Sequence, residues 1–454
     1  RELHVLLNPL KLLQKKIDLK RLDLRQGTIH LARNGAGLTN YTILKRAPDS
    51  TRKRFNLSVD QIYLKETALY YEDDRSGLLI HGEISNLLIH FKGHDPSFQS
   101  KGDLRIDAIR NRNKVIIHDQ TLSFHSTLLY QEDTTRITSG ALEWSGNKFD
   151  LSGYLVPSKP AMVDLAFSSR NKKMDAILQI LPPPIQQKLA GFRVEGRVSI
   201  DGSMKGIMGP DQAPQLDVRF NIQDGTFRND SAGLVFRDAS LSGTVHQDLK
   251  KQSKNNRIEV DAFRLRFNRD IISGSFSLHD FANPEMALAV SGNIDVEALH
   301  RLLPIKKVAV LSGSVRSNVR LSGRLNALQD FTLNDLELFE PVGHLELHNV
   351  RFKTTESRIE YTAINGSVML GRHFWLDGVS LQINENQVHL NGELRNILPY
   401  LNGRQEPVLL KATLQSPQFD LNRLIPEDKN TATGSGNHTI FRFPEHILAN
   451  IEFE

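Results

Sequence analysis

The residues best placed to do chemistry are His344, Glu346 and His348, in the run His344-Leu-Glu-Leu-His348. On a strand, alternate residues share a face, so two imidazoles and a carboxylate would stand together, as at a surface metal site. The same alternation has a plainer reading: Leu345 and Leu347 face a core and the three polar residues face water. The plainer reading is preferred and no metal is assigned. Ser169-Arg-Asn-Lys172 has the Ser-x-x-Lys spacing of a serine nucleophile with a lysine base, but its companion motifs are missing. His90 and His94 flank Phe91-Lys-Gly93 and read as exposed loop residues. The sequence holds no Walker loop, no dinucleotide-binding glycine fingerprint, no His-Glu-x-x-His and no Gly-x-Ser-x-Gly elbow. Cysteine is absent, which excludes disulfides, thiolate zinc sites, iron–sulfur clusters and cysteine nucleophiles in this chain. No paired carboxylates occur in a recognisable catalytic setting, so the chain is expected not to be an enzyme and to use no cofactor.

Charge adds little. Lys and Arg number 57 against 52 Asp and Glu, a net charge of +5 over 454 residues. Arg52-Lys-Arg54 and Lys250-Lys-Gln-Ser-Lys254 lack interleaved aromatic platforms. They read as solvated loops in preference to sites for anionic lipid headgroups, and nucleic acid is not an expected partner. At 39% apolar and 24% charged residues, wholesale disorder and a polytopic membrane protein are excluded. No run approaches the roughly 18 apolar residues of a membrane span.

The elements that would position any site are strands. Val379, Leu381 and Ile383 alternate with polar neighbours, as do Val388, Leu390 and Leu394, and Val218, Phe220 and Ile222. Such alternation predicts an antiparallel sheet with one apolar and one wet face. Helices are expected only near residues 9–16, over Lys173–Leu189, over Asp295–Leu303 and in a short turn at Asn422–Leu424. Asp295 is the expected N-cap of the third, with Pro304 stopping it.

One motif recurs eleven times: apolar, polar, Gly, any residue, apolar. Its first copies are Ile80-His-Gly-Glu-Ile84 and Leu151-Ser-Gly-Tyr-Leu155; its last is Leu390-Asn-Gly-Glu-Leu394. It takes 11 of the 30 glycines. A central glycine weakens a strand, so its recurrence requires a bulge, a bend, or room above the backbone. A longer repeat contains it. Gly153, Gly274 and Gly392 are each followed by a second strand and an Asp-led apolar turn. The turns end at Pro182, Pro304 and Pro426, spacings of 29, 30 and 34. Three copies argue for one repetitive architecture in place of the two to four domains that about 150 residues per domain would give. The loops are placed at Arg46–Arg54, His246–Asn256 and Glu427–His438, with Lys429–Asn437 the best linker by composition.

The serial glycine motifs and the strand pairs closed by an Asp-led turn into Leu-Pro resemble the AsmA-like family, of the AsmA, TamB and YhdP type. The opening fits as well: Leu10–Lys16 leads into Ile17-Asp-Leu-Lys-Arg-Leu-Asp-Leu24 and Gln26-Gly-Thr-Ile29. The resemblance implies a mainly β fold: an elongated, curved and twisted antiparallel sheet, a repeating β-groove, with a few short helices. Its divisions would be residues 1–135 (N-terminal part of the groove), 136–257, 258–373 and 374–428 (groove repeats), and 429–454 (linker and the start of a further strand region). The family, which is similar to bridge-like lipid transfer proteins, implies a periplasmic protein of a double-membraned bacterium. An N-terminal helix would anchor it in the inner membrane. That anchor is missing from this sequence, which reads as a fragment of a longer chain. The implied work is carrying phospholipid or another acyl-chain lipid toward the outer membrane, or supporting outer-membrane assembly, with an outer-membrane or envelope protein as a further partner. The groove candidates are Ile80, Ile84, Leu151, Leu155, Leu241, Val245, Ile272, Phe276, Leu321, Leu325, Leu390 and Leu394. Zero Cys suits an oxidising periplasm.

Two readings of the glycine motifs stay open at this point. Either they bend a sheet whose apolar faces close into a filled core, giving a structural or adhesive repeat protein, or they widen an apolar face that admits acyl chains.

Overall fold

The computed structural model describes residues 2–13, 17–40, 57–91, 97–111, 114–131, 134–144, 146–156, 161–175, 190–208, 212–248, 254–302, 305, 307–325, 338–355, 359–384, 386–401, 406–418, 420 and 447–453. Their secondary structure is overwhelmingly strand, with a few short helices, as the alternation predicts. The chain divides into two units. One comprises Arg1–Ala190, Gly196–Asn221 and Val245–Lys251; the other comprises Gly191–Glu195, Ile222–Thr244 and Gln252–Glu454.

The first unit opens with β1 (Glu2–Leu7), α1 (Pro9–Leu13), β2 (Ile17–Arg25), β3 (Thr28–Arg33) and β4 (Leu57–Val59). It continues through β5 (Gln61–Asp73), β6 (Leu78–Phe91), β7 (Ser97–Asn111), β8 (Lys114–Gln131), β9 (Thr134–Trp144), β10 (Asn147–Val156), β11 (Ala161–Lys173) and β12 (Arg193–Met208). From β5 to β12 each strand pairs antiparallel with the next. Gly77 and Gly146 turn two of these hairpins at positive φ, where a side chain is disfavoured. β13 (Gln215–Asn229) and β14 (Leu234–Asp248), like β12, contribute residues to both units.

The second unit contains β15 (Arg257–Phe267), β16 (Asp270–His279), β17 (Glu285–Asp295), α2 (Val296–Leu302), β18 (Val308–Arg324) and β19 (Phe339–Thr354). β20 (Tyr361–Leu370), β21 (Phe374–Ile383), β22 (Asn386–Arg395), α3 (Ile397–Leu401), β23 (Val408–Gln415) and β24 (Ile447–Phe453) follow. Pairing is antiparallel from β15 to β23. Asn268 and Asn384 turn the β15–β16 and β21–β22 hairpins in left-handed conformations, which asparagine tolerates.

The expected all-antiparallel sheet needs correction at both ends of the sequence. β2 runs parallel to β4 and β5, β3 runs parallel to β5, and β24 runs parallel to β23. Residues 17–33 and 57–73 are in effect two broken strands lying side by side. Each break is held to the other strand: Gln26 N–H donates to the Lys65 carbonyl, and Asp60 N–H to that of Leu19. Parallel neighbours require a crossover, and alternation reports which face a residue takes, not which way its strand runs.

The expected helix at 295–303 forms as α2. Asp295 caps it, its Oδ1 accepting from Ala298 N–H at 3.0 Å. Of the helix expected at 9–16, Pro9–Leu13 form α1, and residues 14–16 lie outside the described residues. Of Lys173–Leu189, Lys173 ends β11 and residues 176–189 lie outside the described residues, as do 422–424, the Arg46–Arg54 loop and the 429–437 linker. The expected loop at His246–Asn256 starts later than placed: His246 is still in β14, 2.6 Å from Asp217. His90, expected in a loop, pairs with Gln61 inside the β5–β6 hairpin; His94 lies outside the described residues. Among the described residues no helix is long and apolar enough to cross a membrane.

Candidate functional site

Opposed residues in paired strands point to the same side of a sheet, so the strand registers alone sort each unit into two faces. In the second unit, Val260 opposes Phe276, Phe276 opposes Leu288, Leu288 opposes Leu321, and Leu321 opposes Pro341. This row of apolar residues crosses five strands. A second row begins Leu265, Ile272, Gly292, Ser317 and Leu345, and continues through Val368, Leu376, Gly392 and Ala412 to Ile451. It crosses from β15 to β24 without changing face. Between them on the same face runs a third row, Phe263, Gly274, Val290 and Val319, whereas a row of the other face is polar: Arg264, Ser273, Ser291, Asn318 and His344 are opposed in sequence.

Among the described residues the apolar face is buried along its margins and half-buried between them. At one end of the strands Leu278, Leu325 and Phe339 form a buried cluster. Toward the other end α2 lays Val296 against Val315 and Val350, and Ala298 against Leu234 and Phe267. Phe276 and Leu321, which pack against the first cluster, and Leu288, Val290 and Val319 between the clusters are only half-buried. The stretch of β18 from Ser317 to Leu321 spans about 13 Å at ordinary strand rise. Further along the sheet the face closes again, where Val379, Leu381, Val388 and Leu414 pack into a core with Val388 fully buried.

The twelve groove candidates fall out as follows. Ile272, Phe276 and Leu321 lie half-buried on the two apolar rows. Leu390 opposes Val379 and Leu414, and Leu394 opposes Phe374 and Leu410; both are half-buried. Leu325 belongs to a buried margin cluster. In the first unit Ile80 opposes Tyr71 and Ile109 and is half-buried, whereas Ile84 is buried between Thr67 and Leu104. Leu151 opposes Phe167 and is half-buried, and Leu155 opposes Val163 and is exposed. Leu241 and Val245 are half-buried on β14. Leu288, Val290 and Val319 share the half-buried stretch and are not among the expected residues. Met286-Ala-Leu-Ala-Val290 carries apolar residues at every position, which hides the face each one takes.

The motif glycines serve the sheet itself. A Cβ at Gly313 would stand 2.6 Å from the Asn349 carbonyl oxygen, and one at Gly366 equally close to that of Gly378. Gly82, Gly153, Gly274, Gly292, Gly323 and Gly392 likewise face a carbonyl of the neighbouring strand that a side chain would strike. At Gly202 and Gly274 a phenylalanine ring, Phe167 or Phe263, also fills the space. At these positions the neighbouring chain occupies the room that glycine leaves.

The chemistry-bearing groups are engaged structurally. Glu346 stands 3.3 Å from the Arg316 guanidinium and 3.8 Å from His348 Nε2. Among the described residues no three His, Asp or Glu side chains converge as a metal site. Ser169 is buried and its hydroxyl donates to the Lys148 carbonyl at 2.7 Å. Glu393 is buried on the polar side between Arg395 and His373, and the Arg395 hydrogen bond, more than any other influence, holds its carboxyl below the usual carboxylate range.

The chain matches no protein-family model, no curated protein and no solved structure.

Proposed function

We propose that the chain is a non-catalytic lipid-handling protein of the AsmA-like type. On this reading it is periplasmic and carries phospholipid along an apolar groove between the inner and outer membranes, or supports outer-membrane assembly. The observation that carries the proposal is the half-buried row Val260, Phe276, Leu288 and Leu321, bordered by buried clusters at both strand ends. Exposing an acyl chain to water costs about 0.8 kcal/mol per methylene. A continuous apolar strip removes that cost at every step, so a lipid moving across successive strands never meets the full desorption barrier. The polar opposite face keeps such a sheet soluble. The filled-core reading is supported by the closed cluster around Val388. The half-buried stretch on β16–β18 favours the lipid reading.

Period-two geometry supplies a direct test. A photo-crosslinking residue at Leu288 is on the apolar face with Leu321, and one at Ala289 is on the other face with Arg320. Crosslinking to phospholipid in cells is expected at 288 and not at 289. Equal labelling at both positions, or none at either, would count against the proposal.

A further inference from the structure

The polar face of the second unit carries an apolar feature that the lipid reading does not use. Trp375 is 54% exposed and Met369, directly opposite it, is 57% exposed. His344 is opposite Met369, and Asn318 opposite His344, so the indole lies in one lateral row with polar side chains. Beside that row is a cavity of about 330 Å³. Ser291, Asn293, Arg316, Asn318, His344 and Glu346 carry polar side chains at its wall.

We infer that this surface is a binding site for a neutral oligosaccharide. Trp375 and Met369 together form a small exposed apolar patch in a row whose other members are polar, and such a patch is the informative observation on a protein surface. A pyranose ring has an apolar C–H face that suits the face of an indole, while its hydroxyls both donate and accept. Asn293 and Asn318 supply both roles from single side chains, and Ser291 and His344 add to them. The charge balance selects the class of ligand. The Arg316 guanidinium is met by Glu346 at 3.3 Å, so the cavity holds no surplus cation for a phosphate and no surplus carboxylate for a metal ion. From Trp375 to His344 is two strand spacings, about 10 Å. That span requires an extended ligand of more than one sugar ring. The site lies on the face opposite the apolar rows and does not rest on the lipid proposal.

The protein has two tryptophans, Trp144 and Trp375. Trp144 lies in the first unit, where its indole N–H donates to Gln120 Oε1 at 2.9 Å. In a Trp144→Phe protein, Trp375 is therefore the sole reporter. Titration with an N-acetylglucosamine tetrasaccharide and with maltotetraose should give a saturable change in Trp375 emission with at least one of them. Asn318→Ala should weaken that binding at least tenfold, and the corresponding monosaccharide should bind much more weakly. Calorimetry on the unsubstituted chain and on Trp375→Ala gives the same reading without altering Trp144; binding should disappear in the second. The inference is overturned if neither tetrasaccharide is bound at about 10 mM, if Asn318→Ala binds as well as the parent, or if only phospholipid vesicles change the emission.

Discussion

Gly274 faces the carbonyl of Ala289 on the neighbouring strand so closely that a Cβ on the glycine would overlap the oxygen. The same relation links Gly392 to Lys411 and Gly153 to Asp164, the other two copies of the long repeat. The glycines therefore let neighbouring backbones crowd together, and the apolar surface must be sought in the residues flanking them.

Gly274→Ala is expected to destabilise the second unit by on the order of 2 kcal/mol, as overpacking a close-packed site does. Gly35 is the control, since a Cβ there would meet nothing within 4 Å and its φ is ordinary. Denaturant midpoints of the two variants should separate: Gly35→Ala stays with the parent and Gly274→Ala falls well below it.

Asn386 is buried and exchanges two hydrogen bonds with the backbone of Asp420, donating to its carbonyl at 3.1 Å and accepting from its N–H at 2.8 Å. This ties the Asp-led segment of the third repeat to the start of β22. Asn386→Ala leaves those groups without these partners, at a cost of about 1–3 kcal/mol. Faster amide exchange at Asp420 would accompany it, and unchanged exchange would show that the tie carries no energy.

Glu393 gives a pH dependence of known sign. Its hydrogen bond from Arg395, with burial opposing and the charges of Arg395 and His373 adding, lowers its folded pKa. A lowered carboxylate pKa contributes stability above the ordinary carboxylate pKa, and that contribution is lost as pH falls through the folded value. Glu393→Gln should therefore lower the unfolding midpoint at neutral pH, and the gap from the parent should close on acidification through the carboxylate range. A gap independent of pH would mean that the ion pair contributes nothing.

Much of this molecule is legible from side-chain period. The two faces of β18 follow directly from Val315, Val319 and Leu321 against Arg316, Asn318 and Arg320, and Asp295 marks the start of α2. Strand direction is not legible, because parallel and antiparallel neighbours place the same residues on the same faces; hence the parallel pairing of β2 and β3 with β5 was missed. Val368-Met-Leu and Phe374-Trp-Leu hide the outward turn of Met369 and Trp375, since apolar residues fill both faces there. Which part of the apolar face is covered depends on contacts between distant segments, such as α2 on Val315, and no local spacing encodes it.

The central claim is that the half-buried row through Phe276, Leu288 and Leu321 holds acyl chains. The most direct measurement is quantitative phospholipid mass spectrometry on the chain purified from a double-membraned bacterium, beside a Leu288→Asp/Leu321→Asp variant whose circular dichroism matches the parent. The account predicts phospholipid in stoichiometric amounts with the parent and severalfold less with the variant. A lipid-free parent, or equal lipid on both proteins, would contradict it.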